Sequence, residues 1–108
     1  MNVEFVETAI FTRLITLLLE DNEYRSLQSA LAADLEVGDL ISGSGGLRKL
    51  RWAVKKKQKG KRGGARIIYY VHSHDKLYMI YAYVKGKQEN LTKKELMMLR
   101  EYTKEAQL

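Results

Sequence analysis

The chain has 108 residues, 45% of them apolar and 30% charged, with a formal net charge of +6 and no cysteine. It is long enough for one domain with its own core, taken as 1–108, and too apolar for a disordered segment. Without cysteine, a disulfide framework and a thiolate metal site are excluded, which fits a reducing cytoplasm.

The distribution of charge says more than its sum. Residues 1–46 carry two basic and eight acidic side chains, residues 47–88 thirteen basic and one acidic, and the last twenty carry four of each. Such asymmetry predicts one anion-binding region. The apolar run from Ile10 to Leu19 is interrupted by Thr12, Arg13 and Thr16. It is too short to cross a bilayer and has no basic start like a signal peptide's, so no membrane association and a cytoplasmic location are expected.

In chain order, Asn2 to Val6 reads as a first strand. Thr8 is a plausible N-cap for a helix through Leu19, with Ile10, Leu14, Leu17 and Leu18 on one apolar face that Phe11 and Ile15 widen. A turn near Glu20 to Asn22 leads to a second helix, Glu23 to Glu36, with Tyr24, Leu27, Leu31 and Leu35 as its apolar stripe. So short a connection predicts an αα-hairpin. Val37 to Gly46, VGDLISGSGG, is a glycine- and serine-rich stretch. No Gly-Lys-Ser/Thr follows it, so a flexible connection is the better reading than a phosphate cradle.

Residues 47–71 dominate the chain. Arg48, Lys49, Arg51, Lys55, Lys56, Lys57, Lys59, Lys61, Arg62 and Arg66 place ten cations there without one carboxylate. Leu50, Trp52 and Val54 alternate with polar residues before the run, and Ala65 to Val71 is almost wholly apolar after it, so a long basic hairpin loop between two strands is expected. Strand alternation buries Leu50 and Trp52 and sends Lys49 and Arg51 out together from the other face. Leu77 to Lys85 is a further strand after a turn at His72 to Lys76. It sets Tyr81, Tyr83 and Lys85 on one face and Ile80, Ala82 and Val84 on the other. Thr92 and Glu95 form a capping box, with Leu91 and Leu96 as its hydrophobic staple, for a helix from about Lys93 to Ala106. The order β-α-α-β-β-β-α predicts an α+β fold: a mostly antiparallel sheet, an N-terminal αα-hairpin and a C-terminal helix.

Several candidates for chemistry fare poorly. His72 and His74 lie at a hairpin turn with few carboxylates near, Ser42 and Ser44 lack a base, and no carboxylate pair flanks the basic stretch to hold magnesium; neither metal nor cofactor is expected. Arg66 is different, because an arginine inside an apolar strand projects to solvent or meets a partner. That partner is either an acidic residue or a ligand. Tyr69, Tyr70, Tyr81 and Tyr83 are either core aromatics or platforms for unpaired bases.

GLRKLRWA (46–53), the basic loop, GGARIIYYV (63–71) and IYAYVKGKQENLT (80–92) together resemble the RelE superfamily of toxins, on its HigB-like branch. The resemblance covers nearly the whole chain. It implies a ribosome-dependent mRNA endonuclease of a bacterial or phage-derived toxin–antitoxin pair, cutting without metal through the substrate 2′-hydroxyl and leaving a 2′,3′-cyclic phosphate. It also implies a cognate antitoxin, commonly with a helix-turn-helix DNA-binding domain. Arg66 matches the arginine that stabilises the transition state, and Lys49 and Arg51 match a basic pair on the preceding strand. Lys85 matches a stabiliser or acid at the leaving group. The tyrosine that several relatives carry just beyond the last strand has no counterpart in GKQENLT; Tyr83 or a lysine is left to serve, and the general base stays unassigned. Arg48, Lys55, Lys56, Lys57, Lys59, Lys61, Arg62 and Lys87 are the expected RNA-binding cations. The alternative is a non-catalytic RNA- or DNA-binding module using the same basic hairpin, since phosphate contacts give affinity without chemistry.

Overall fold

The structure is a computed structural model that describes residues 2–54, 64–85 and 90–106. Five strands, β1 (Glu4–Glu7), β2 (Asp39–Leu40), β3 (Leu47–Trp52), β4 (Ala65–Ser73) and β5 (Lys76–Val84), form one sheet in the order β1-β5-β4-β3-β2. All neighbours are antiparallel except β1, which runs parallel to β5. Helices α1 (Ala9–Leu18) and α2 (Asp21–Ala33) supply Phe11, Ile15, Leu18, Leu27 and Leu31 to the core on one sheet face. Helix α3 (Lys93–Ala106) supplies Leu96 and Leu99 to a second cluster with Leu47, Ile68, Ile80 and Tyr83. The expected α+β arrangement is therefore present, with one short strand more than the sequence suggested.

Each helix begins where its polar residues can satisfy the first amides. Thr8 Oγ1 accepts the Phe11 N–H at 3.1 Å. The same hydroxyl donates to Ile80 O at 2.8 Å, and Thr8 N–H donates to Met79 O at 3.0 Å, so the cap also fastens β1 to β5. Helix α2 begins two residues before its expected start, because Glu20 and Glu23 form a capping box in which Glu20 N–H donates to Glu23 Oε1 at 3.1 Å. Thr92 and Glu95 form the predicted box reciprocally, at 2.9 and 3.1 Å. Leu91 and Leu96, the staple, both pack against the second cluster.

The buried face of α1 is rotated from the expected one. Phe11, Ile15 and Leu18 are buried, whereas Leu17 is 63% exposed and Ile10 and Leu14 are only partly covered. Two carboxylate contacts hold this corner: Glu7 accepts from Thr12 Oγ1 at 2.6 Å and from the Tyr24 hydroxyl. Burial and then the Glu7 contact push the Tyr24 phenol far above its ordinary range.

The glycine-rich stretch is a built reverse turn rather than a flexible connection. Asp39 and Leu40 pair with Lys49 and Arg48, and Ile41 N–H donates to Leu47 O at 2.8 Å. Ser44, 1% exposed, accepts the Leu47 N–H on Oγ at 2.9 Å. Gly43, Gly45 and Gly46 all have positive φ, which a side chain would oppose. Gly38 is needed for space: a Cβ there would lie 2.8 Å from Tyr69 Cε1 and 3.0 Å from Lys49 O. The closeness arises because the Tyr69 hydroxyl accepts the Gly38 N–H at 2.9 Å and donates to Leu35 O at 2.8 Å. Tyr69→Phe leaves both groups without this partner and is expected to cost about 1–3 kcal/mol. Urea unfolding of the two proteins, compared at equal slope, measures it; an unchanged midpoint would show the phenol is not holding the turn.

Candidate active site

On one end of the sheet, Arg51 stands opposite Arg66 and Arg66 opposite Tyr83, so three strands contribute one residue each to a single row. The adjacent row is Lys49, Ile68 and Tyr81. Neighbours across such strands lie about 4.5–5.5 Å apart at Cα, close enough for the long side chains to converge on one group. The face is the one covered further along by α3, because Ile68, Tyr81 and Tyr83 belong to or pack on the second cluster. Arg51 is exposed, Lys49 half-buried, and Arg66 only 3% exposed. Like charges directly opposite one another disfavour strand pairing, and Arg66 Nη1 donates to Ala65 O at 3.3 Å.

Tyr83 is 6% exposed, and its hydroxyl is buried without a hydrogen-bond partner among the described residues. Burial raises its pKa, the Arg66 charge pulls it back, and Glu95 and Tyr81 push it up again. Tyr81 is likewise raised by burial and by Glu95, and its ring lies 6.1 Å from that of Tyr83. The first turn of α3 thus brings a carboxylate beside both phenols. The sequence marked Glu95 only as half of a capping box; nothing in its spacing disclosed the tyrosines, which come near through tertiary packing. Asn90 was also missed: its Oδ1 accepts from Lys49 Nζ at 3.2 Å.

The face assignment of β5 differs at one residue. Ile80 joins Tyr81 and Tyr83 in the α3-side cluster, because the register slips there: Ile68 pairs with Tyr81 but Tyr69 with Met79, leaving Ile80 as the extra residue of a bulge. The exposure of β3 also differs from expectation. Leu47, on the Lys49 face, is fully buried, whereas Leu50 and Trp52 are partly covered.

Not every predicted cation joins the row. Arg48 points to the other side of β3, where Nη1 donates to Gly38 O at 2.7 Å and Nη2 meets Glu36 Oε2 at 3.1 Å. Lys85 follows β5 directly, two positions beyond Tyr83, with its N–H donating to Gly64 O at 3.1 Å. Lys55, Lys56, Lys57, Lys59, Lys61, Arg62 and Lys87 lie outside the described residues. His72 rests edge-on to Tyr78, 5.5 Å between ring centroids, at the far end of β4 from the row. The turn beside it is shorter than predicted, since β4 runs to Ser73 and β5 starts at Lys76.

The α+β domain thus aligns two arginines and a tyrosine at one end of its sheet, beside a lysine, a set of groups whose charge is complementary to an anion. Residues 9–108 match the model of the family described as RelE toxin of the RelE / RelB toxin–antitoxin system, and the chain belongs to that family. It is accordingly a toxin of a toxin–antitoxin system with an antitoxin for a partner, and toxins of this family are in general ribosome-dependent endoribonucleases. Among the described residues, no helix is long and apolar enough to cross a membrane.

Proposed function

We propose that the protein is a ribosome-dependent mRNA endonuclease of a bacterial type II toxin–antitoxin module, on the HigB-like branch of its family, acting in the cytoplasm as a single domain. The observation that carries this reading is the row Arg51–Arg66–Tyr83 with Lys49 alongside. A phosphodiester bound there meets two guanidiniums, whose planar forks suit phosphate oxygens. In the reaction the substrate 2′-oxygen loses its proton and bonds to phosphorus, while the bond to the 5′-oxygen breaks and that oxygen gains a proton. The products are a 2′,3′-cyclic phosphate and a 5′-hydroxyl, and the protein's own groups need form no covalent bond.

Arg66, nearly excluded from water, stabilises the extra negative charge on phosphorus oxygens in the transition state, where a low dielectric strengthens its pull. Lys49 and Arg51 orient the strand, and Lys85 serves the leaving group. Tyr83 donates a hydrogen bond to a phosphate oxygen, since its raised pKa keeps the hydroxyl protonated. That same shift argues against it as the base. The basic loop and Lys87 supply phosphate contacts with RNA. The ribosome supplies much of the positioning, so naked RNA is cut slowly. The cognate antitoxin is of the helix-turn-helix type.

The test is a map of cuts by primer extension in a translating extract, with the chemistry of the new ends determined. Cuts in translated message that carry cyclic phosphate are expected. Retention on ribosomes with no new ends identifies a non-catalytic RNA-binding module instead.

A further inference from the structure

Helix α3 is apolar on two sides. Leu96, Leu99 and Thr103 lie toward the sheet, of which Leu99 and Thr103 are 6% and 2% exposed. Met97, Met98 and Tyr102 are 65%, 57% and 43% exposed. Single exposed apolar residues are ordinary, but three within six positions of one helix form a patch. A helix apolar on both sides is one that expects cover on both sides.

Two further features say what kind of cover. Between the helix and the body of the protein, Ile10, Tyr81, Met98, Leu99 and Tyr102, with Glu95 the one charged residue among them, line a cleft of about 160 Å³. Small-molecule sites span roughly 300–1,000 Å³, so this cleft suits one inserted apolar side chain. Along the outer side a groove runs past Met97 and Met98 between Lys94, Arg100 and Lys104; among the described residues Glu101, paired with Lys104 at 3.4 Å, is the one carboxylate lining it. Methionine adapts its shape to a partner, and methionine, tyrosine and arginine are the residues enriched at protein interface cores. An apolar strip with a cationic rim matches a protein segment whose apolar anchors are flanked by Asp and Glu.

We infer that the outer face of α3 is the docking surface for the antitoxin, taken by an amphipathic acidic segment that seats an apolar side chain in the cleft. The inference rests on family membership for the existence of the partner, and on the proposed toxin activity only for its growth readout. The surface lies on the helix whose first turn stands beside Tyr81 and Tyr83; Tyr81 of the adjacent row lines the cleft, and Arg51, Arg66 and Tyr83 are not part of it. The antitoxin is therefore gripped without needing to fill the sheet end.

The test uses the full-length toxin with the full-length antitoxin encoded beside it. Met98→Lys places a charge on the apolar strip, and the triple variant Lys94→Glu, Arg100→Glu, Lys104→Glu reverses the rim at exposed positions, with circular dichroism confirming that each variant is folded. Each variant is expected to arrest growth when expressed alone and to escape neutralisation, with antitoxin affinity by calorimetry lower by about 30-fold or more, as for loss of an interface anchor. Affinities within twofold of the parent protein for both variants overturn the inference. So does a variant that loses ribosome binding, or changes oligomeric state, while its antitoxin affinity stays unchanged; the occupant is then RNA or a second copy. If the parent chain is not toxic, the nuclease reading fails and the affinities still decide the docking surface.

Discussion

Replacing Arg66 by methionine is expected to lower cleavage by about 10²–10³-fold, the range seen when one preorganised donor to a developing anion is removed. Methionine is the informative substitute because Arg66 is 3% exposed between Ala65 and Ile67, both fully buried. An alanine there leaves a cavity, and loss of activity is then confounded with loss of fold. An apolar side chain of similar length keeps the packing, while the groups that Arg66 meets, Ala65 O among them at 3.3 Å, lose a charged donor. The expected signature is thus a protein that folds cooperatively, loses no more than about 1–3 kcal/mol of stability for the donor removed, and no longer cuts. Arg66→Lys keeps the charge but loses the fork and is expected to fall between the two. A methionine variant that still cuts message at more than a tenth of the parent rate would remove Arg66 from the chemistry.

Tyr83→Phe is expected to separate activity from stability. Its hydroxyl is buried with no hydrogen-bond partner among the described residues, a cost most proteins avoid. Deleting it is therefore expected to leave stability unchanged or raise it by about 1 kcal/mol. Cleavage is expected to fall by about 10²-fold if the phenol donates to the substrate. The pH dependence adds a second check. Burial raises the phenol's pKa above the ordinary 10.0, Arg66 offsets part of this, and Glu95 and Tyr81 add to it. The folded state then retains a proton that the unfolded chain releases, so this group leaves stability independent of pH below about pH 10 and lowers it as pH rises from there through the folded value. Unfolding curves from pH 8 to 11 are expected to show a smaller alkaline decline for the phenylalanine variant. Equal declines and equal cutting rates would leave Tyr83 as packing only.

Much of this organisation was legible from residue pattern. Thr92 and Glu95 announced α3, Thr8 announced α1, and alternation put Lys49 with Arg51 on one strand and Tyr81 with Tyr83 on another, while the register that joins them through Arg66 came from the fold. What pattern left unread was set by tertiary contact. The Ile80 bulge reverses one side chain because Thr8 binds the carbonyls of Met79 and Ile80. The buried side of α1 is chosen by where the helix lies on β5, a choice that Leu14, Leu17 and Leu18 left ambiguous. Arg48 reads like any other cation of its stretch, and only the fold of 36–38 against it shows that its charge is spent on Glu36 and two carbonyls. The short strand β2 escaped because Asp39 and Leu40 are exposed on a sheet edge and carry no burial pattern to detect.

The first strand closes its sheet against the last, through contacts between Thr8 and Ile80 that are 72 residues apart in the chain. Long-range closure of this kind is slow and comes late. It also means that no growing chain holds Arg51, Arg66 and Tyr83 side by side until β5 has been synthesised. Under the proposed function, a chain that ends before Tyr83 has an incomplete row and is expected to leave translated message intact.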